Sequence, residues 1–341
     1  MGLYTELGYV DVAYCLRYKC PFTFIIGGRG TGKTYGALRY ALDTDLPFIL
    51  MRRTQAQADL ISRTEFSPLE PVVRDLGLHQ TVKALSKYNG GIYVSSPEDP
   101  EDDPGRMVGW TAALSTFSNL RGFDASDIRL IIYDECIPET HERPLKNEGD
   151  AMLNVYETVN RNRELSGRDP VTMLLLSNAN RLDSPILDAL GLVPVLEKML
   201  KCGKEEHIDR DRGVALFLPF RSRISQDKAT TALYRAARSS TYAEMALANR
   251  FAYDDMSDVK PQKLNGWRLR IQLGSLFIYS KDDQWYITMH GAGTPALRYD
   301  WTDNDRKRFI RDFPSSYSRL IDHRILFEDY SSRLIFCQLF G

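Results

Sequence analysis

Phe22-Thr23-Phe24-Ile25-Ile26-Gly27-Gly28-Arg29-Gly30-Thr31-Gly32-Lys33-Thr34 is an apolar run that empties into a glycine-rich turn. Gly27, four residues, then Gly32-Lys33-Thr34 is the spacing of a phosphate-binding loop. The flanks are those such a loop requires, strand-like before it and helix-compatible from Tyr35 to Leu42 after it. A triphosphate must sit against bare backbone, with several N–H groups converging on it. Gly27, Gly28, Gly30 and Gly32 permit that approach, with Arg29 and Thr31 between them, and the following helix points its positive end at the anion. Lys33 is expected to reach the β- and γ-phosphates and Thr34 to give its hydroxyl to Mg²⁺.

Outward from the loop, the chain has 341 residues, 43% hydrophobic and 26% charged, which suits a soluble protein of two globular units. No run approaches the roughly 18 apolar residues needed to span a bilayer. The polar-punctuated Met1 to Val10 lacks a signal-peptide core, so a cytoplasmic protein without membrane contact is expected. Cys15, Cys20, Cys136, Cys202 and Cys337 are scattered without paired metal-ligand spacing and read as small buried hydrophobes. A net charge of −1 argues against bulk coating of nucleic acid but leaves room for a local basic groove. From Lys260 onward, Lys and Arg outnumber Asp and Glu by 13 to 9.

The expected fold is α/β, a mostly parallel sheet with helices on both faces, followed by a helical linker and a smaller α+β domain. The boundaries read as 1–202, 203–257 and 258–341. Leu7 to Tyr18 reads as a lead-in helix, and Leu46 to Met51 as a buried strand with Arg52-Arg53 at its end. Either arginine could touch phosphate or DNA, or both could be solvated charges capping the strand. Gln57 to Val73 has helical spacing broken at Pro68 and Pro71, Val82 to Ser95 a hairpin around Asn89-Gly90-Gly91, and Val108 to Phe117 another strand. Ile128 to Tyr133 is a near-continuous apolar run ending in Asp134-Glu135. At such a strand end the first acid holds Mg²⁺ through water and the second can polarise the attacking water.

Asp150 to Leu165 reads as a helix carrying Arg161-Asn162-Arg163 near its end. Val171 to Leu176 is a further buried strand closing on Ser177-Asn178, where Asn178 can hydrogen-bond the γ-phosphate or merely cap a turn. Val214 to Pro219 is the last strand of the first domain, and Asp227 to Phe251 has helical composition. Beyond it come two β-type runs, Arg268 to Ser280 and Gln284 to His290, then helices at Thr302 to Asp312 and Ser318 to Phe327.

With the loop, Phe48-Ile49-x-x-Arg52-Arg53, Asp134-Glu135, Arg161-Asn162-Arg163 and Leu-Ser-Asn-Ala at 176–179 in this order, the chain resembles the phi29-like phage DNA-packaging ATPases. The resemblance is weak beyond Lys201. It implies an ATP- and Mg²⁺-dependent motor of the additional-strand, catalytic-glutamate division. Such a motor is a homo-oligomeric ring, a pentamer by the resemblance, docked on the portal of a phage procapsid in the host cytoplasm and drawing double-stranded DNA inside. An RNA scaffold between ring and portal is compatible with it. Carried over by position, Lys33 and Thr34 bind nucleotide, Asp134 holds Mg²⁺, Glu135 is the base, Arg161 is a finger for the neighbouring subunit, and Arg121, with Asn119 in the same loop, contacts DNA. The resemblance also implies a C-terminal domain of ribonuclease-H-like shape. Asp282 and Asp283 lie in a turn, so nuclease activity is not expected, and Gln55 stands where the family can show a lysine. Another nucleic-acid translocase or helicase, and a small-molecule kinase, are the competing readings.

Overall fold

The computed structural model describes residues 2–340 except 100–102, 121–123, 140, 141, 144, 180, 238, 239, 241, 242, 244, 245 and 248–255. The chain forms two compact units, one of residues 1–190 and 199–253, the other of 191–198 and 254–341. Residues 191–198 thus group with the second unit, whereas the sequence reading set its boundaries at 202 and 257.

The first unit is built on β1 (Phe22–Ile26), β2 (Phe48–Arg52), β3 (His79–Ala84), β4 (Gly90–Ser95), β5 (Arg106–Ala113), β6 (Leu130–Asp134), β7 (Thr172–Ser177), β8 (Glu206–Asp209) and β9 (Val214–Phe217). Their order in the sheet is β3-β4-β5-β2-β6-β7-β1-β9-β8. The stretch from β5 to β9 is parallel throughout, and β3, β4 and β8 close the edges antiparallel. All five residues of β6 are buried, and so are Phe24 to Ile26 of β1 and Met173 to Ser177 of β7. That is why these strands read as continuous apolar runs: both faces of the sheet are covered.

β7 lies between β1 and β6. Its register pairs Ile26 with Ser177 and Asp134 with Leu176, so Gly27, Asp134 and Asn178 emerge at one end of the sheet. Ligands collect at the C-terminal ends of strands in such sheets.

Several expected elements are shorter than their sequence patterns. The lead-in helix is only α1 (Val12–Leu16), capped by Asp11 accepting from the Tyr14 N–H, because the chain before it makes a Tyr4–Val10 bridge around Gly8. The phosphate loop feeds α2 (Lys33–Asp43), and after β2 come α3 (Gln55–Ile61) and α4 (Glu70–Asp75), with Pro71 tolerated in the first turn of α4. β5 ends at Ala113, and Leu114–Leu120 is a 3₁₀ segment rather than strand. α5 (Glu148–Asn160) stops before Arg161, which with Asn162 takes left-handed φ values of 44° and 57°. The arginines expected on that helix therefore lie beyond it. α6 (Pro185–Ala189) and α7 (Val193–Cys202) follow β7, and the region expected to be helical from Asp227 holds, among its described residues, α8 (Arg223–Lys228) and α9 (Ala232–Ala236).

The second unit carries a five-stranded sheet, β13-β10-β11-β12-β14, from β10 (Arg268–Leu273), β11 (Leu276–Lys281), β12 (Gln284–Thr288), β13 (Leu297–Tyr299) and β14 (Ile325–Phe327). β10 to β12 form an antiparallel meander, while β13 joins β10 and β14 joins β12 in parallel. The run expected as one strand from Arg268 to Ser280 is two, turned at Gly274 with φ of +55°. The helix expected over Ser318 to Phe327 is a short helix, Ser316–Ile321, followed by β14. Phe309, Phe327 and Phe336 sit fully buried in the core beside this sheet. Among the described residues, no helix is long and apolar enough to cross a membrane.

Candidate nucleotide site

The loop between β1 and α2 closes a cavity of about 380 Å³ lined by Arg29 to Tyr35, Asp134, Glu135, Ser177 and Asn178. Gly30 and Gly32 have φ of +69° and +83°, values that penalise any residue with a Cβ. Thr31 stiffens the loop by donating its hydroxyl to the Gly28 carbonyl at 3.0 Å. The loop is also packed from outside: Lys228 Nζ donates to the Arg29 carbonyl at 2.6 Å, and a Cβ on Gly28 would come within 2.5 Å of the Ala246 carbonyl oxygen.

Lys33, buried at the first position of α2, turns its ammonium onto the Gly27 and Gly28 carbonyls at 3.0 and 2.8 Å and onto Asn178 Oδ1 at 3.3 Å. These acceptors hold the place a phosphate would take. Burial is the largest influence on Lys33 and pushes its pKa down to about 8, against the opposing pull of Asp134.

Thr34 Oγ1 lies 3.1 Å from both carboxylate oxygens of Asp134. Burial raises the Asp134 pKa, and Arg52 counters it. The Thr34 hydroxyl at the start of α2 and the Asp134 carboxylate at the end of β6 are hard oxygen donors, and Mg²⁺ needs few of them because it keeps several of its waters. Together with a glycine cradle that side chains would fill, the donor set fits a magnesium-bound nucleotide.

Glu135 follows in left-handed backbone, φ 57°, an unusual conformation for glutamate that concentrates at functional sites. Its side chain is 55% exposed and ion-paired to Arg52, Nη1 to Oε2 at 2.5 Å, while Arg52 Nη2 reaches Asp134 Oδ2 at 3.0 Å. Arg52 therefore spans both acids. The sequence placed Arg52 at a strand end without identifying these partners, and the register of β2 beside β6 supplies them.

Arg53 is a correction to the sequence reading, which had it facing phosphate, DNA or solvent. It is 1% exposed, with Nε 2.7 Å from Glu148 Oε1, Nη1 3.0 Å from Glu142 Oε2 and Nη2 donating to the Arg143 carbonyl. Glu148 is fully buried beside it, so this pair fastens the start of α5 to β2. Arg29 pairs with Glu139 in the loop after Glu135. That partner was not visible in the sequence, where only spacing within the phosphate loop is legible.

The structure thus gathers Arg29 through Thr34, Asp134, Glu135 and Asn178 around one cavity, with the Gly27 and Gly28 carbonyls joined to it through Lys33. Arg161 does not line it; the residue is exposed beyond α5, with Nε donating to the Thr158 carbonyl at 3.2 Å. Arg163 is buried, donating to the carbonyls of Ala125 and Ser126. Asn119 is exposed in the 3₁₀ segment, and Arg121 lies outside the described residues.

An extra strand between the loop strand and the acid-bearing strand, with lysine and threonine in the loop, paired acids, and a polar residue just past that extra strand, defines a phosphate-loop fold of the additional-strand division. The chain belongs to the podovirus DNA encapsidation protein (Gp16) family, whose pattern matches residues 8–265. It is 27% identical over 253 residues to the DNA packaging protein of Bacillus phage B103, covering 73% of this chain and 69% of that one. To the DNA packaging protein of Bacillus phage phi29 it is 26% identical over 244 residues, 70% of this chain and 64% of that one. Among solved structures, a chain of the phi29 viral genome packaging motor assembly superposes with a TM-score of 0.69 at 21% identity, covering 98% of both chains. The phi28 DNA packaging motor gives 0.60 at 15% identity, over 97% of this chain and 96% of the other. At those identities the structural likeness speaks for the fold.

Proposed function

We propose that this chain is the ATP-hydrolysing subunit of a homo-oligomeric ring that drives double-stranded phage DNA through a portal into a preformed capsid. The observation that carries it is the pairing of Asp134 and Glu135 opposite Lys33 and Thr34, with Asn178 just past the strand between them. Lys33 leaves the loop carbonyls for the β- and γ-phosphates, and the backbone N–H groups of Gly28 to Gly32 donate to the phosphate oxygens. Thr34 and, through water, Asp134 would hold Mg²⁺, whose charge would offset that of the transferring phosphate. Glu135 takes the proton of the attacking water, which requires its carboxylate to part from Arg52. Asn178 exchanges Lys33 for the γ-phosphate or the lytic water and so registers whether hydrolysis has occurred.

Arg161 acts on the neighbouring subunit's γ-phosphate, consistent with its place outside its own chain's cavity. Arg121 and Asn119 meet DNA phosphates at the centre of the ring. A pentamer, docking on the portal in the host cytoplasm and an RNA scaffold follow from family resemblance alone. Nuclease activity is not part of this reading, since Asp283 in the β11–β12 turn is committed to Arg319 and Arg324. The competing readings, a general nucleic-acid translocase and a kinase, separate from it in one assay. ATP hydrolysis by the purified chain should rise with double-stranded DNA and rise further with procapsids. Stimulation by DNA but indifference to procapsids would favour the translocase, and indifference to both the kinase.

A further inference from the structure

The C-terminal unit holds a group of donors that the nucleotide chemistry does not use. His290 follows β12, and Glu328 and Asp329 follow β14, its parallel neighbour, so all three lie at the same end of adjacent strands. One ring nitrogen of His290 and one carboxylate oxygen each of Glu328 and Asp329 fall within 4.8 Å of one another. The sequence hides this, because His290 and the two acids are far apart in the chain and only the β12–β14 register joins them.

The geometry points to a binding site for a single borderline divalent metal ion, Zn²⁺ or Mn²⁺, formed by His290, Glu328 and Asp329. Three lines of chemistry support it. First, the donors are mixed: an imidazole nitrogen with two carboxylates suits Zn²⁺ or Mn²⁺ better than Mg²⁺, which demands oxygen. Ligands about 2.0–2.2 Å from a common ion stand about 3–4 Å apart, a closure the exposed His290 ring reaches by rotation.

Second, among the described residues the two acids lack the ion pair that most acids of this unit have; Asp282 and Asp300 lack one as well but are exposed. In this unit Asp258 pairs with His323, Asp283 with Arg319, Asp303 with Arg306, Asp305 with Arg308 and Asp312 with Arg311. Among the described residues, Glu328 and Asp329 have no such basic partner although both are half-buried. A dication would relieve the repulsion between them.

Third, the ligands are oriented from behind. The Thr288 hydroxyl, 2% exposed, donates to Glu328 Oε2 and accepts the His290 backbone N–H at 2.9 Å. Asp329 Oδ1 accepts the Ser332 N–H at 2.7 Å. Each carboxylate keeps its other oxygen for the ion, and such outer hydrogen bonds fix ligands for metals. The ion would fasten the exit of β12 to the start of the terminal helix, Tyr330–Cys337.

The test uses the full chain, stripped with chelator and free of nucleotide, titrated with Mn²⁺ and followed by electron paramagnetic resonance. We expect one saturable Mn²⁺ per chain, displaced by Zn²⁺, with His290→Ala and Glu328→Gln each weakening it by about tenfold or more. Asp134→Asn should leave that binding unchanged, and Zn²⁺ should raise the melting temperature of the wild type but not of His290→Ala. His290 is exposed, so its variant should melt like the stripped wild type, which separates loss of a ligand from loss of the fold. No saturable binding below about 1 mM overturns the site. Equal affinity in both ligand variants, or loss of binding in Asp134→Asn alone, does so as well.

Discussion

Arg52 Nη1 stands 2.5 Å from Glu135 Oε2, with the same guanidinium on Asp134, so the carboxylate proposed as the base is held by an arginine on the neighbouring strand. Engaged in that pair, the Glu135 carboxylate is turned to Arg52 rather than to a water. Arg52→Lys keeps a positive charge beside buried Asp134 but cannot span both acids as a planar fork does. Hydrolysis without DNA should then rise several-fold while nucleotide affinity stays within about twofold. A fall in kcat with affinity unchanged would instead make Arg52 a direct participant in the chemistry.

Lys33 predicts a pH dependence for the nucleotide-free protein. Its folded-state pKa, about 8, lies below the ordinary 10.5, so the folded chain binds fewer protons than the unfolded one between those values. Stability from this group is therefore flat below pH 8 and rises with pH up to about 10.5, by about 3 kcal/mol in all. Denaturant titrations of wild type and Lys33→Met at pH 7, 8.5 and 10 should converge as pH rises, with the wild type less stable relative to the variant at pH 7. Parallel curves would show the ammonium is better solvated than its burial suggests. Lys33→Met should also abolish hydrolysis, since charge on the transferring phosphate would lose its partner.

Glu135→Gln keeps the shape of the site and removes the proposed base, so ATP binding should persist while turnover falls. Arg161→Ala should fail for a different reason, loss of a finger worth on the order of 10³-fold or more. Subunits carrying one change or the other, each inactive alone, should recover hydrolysis when mixed, because some interfaces then hold an intact Glu135 and an intact Arg161. No recovery at any ratio would place both residues in one subunit's site.

Arg53 and Glu148 test the fold rather than the chemistry. Glu148→Ala leaves the Arg53 guanidinium without its fully buried partner, a change that costs about 3–5 kcal/mol. Replacing both with apolar residues of similar volume should restore most of that stability, as read by thermal or denaturant unfolding. If the double replacement is as unstable as the single one, the pair also serves a geometry that packing cannot supply.

Arg121→Ala should lower DNA-stimulated hydrolysis and reduce the salt slope of DNA binding by about one unit, while basal hydrolysis stays near wild type. Collapse of basal turnover with DNA binding unchanged would assign Arg121 to the nucleotide site.

Residues whose placement depends on neighbours in the chain were legible, and residues whose partners depend on register were not. Gly27 to Thr34 and Asp134-Glu135 are contiguous signals, and the runs of β1, β6 and β7 announce strands covered on both faces. Arg52 and Arg53 look alike in sequence, yet one side chain points to Asp134 and the other to Glu148. Alternation along the chain at the end of β2, combined with strand order, decides this. The break at Gly274 was missed because apolar residues on both sides continue the strand pattern, and only a left-handed turn separates them. Helix ends were overestimated where local pattern outlasts packing, as at Arg161, whose left-handed φ ends α5 without a glycine.

Gly28 is answerable to the protein before it is answerable to a nucleotide. The Ala246 carbonyl oxygen would lie 2.5 Å from a methyl group there, so the loop serves as a bearing surface for chain far downstream as well as a receptacle. An alanine at this position would therefore unseat that downstream segment even in protein that never meets a ligand. Weakened nucleotide binding in such a variant would be two injuries recorded as one.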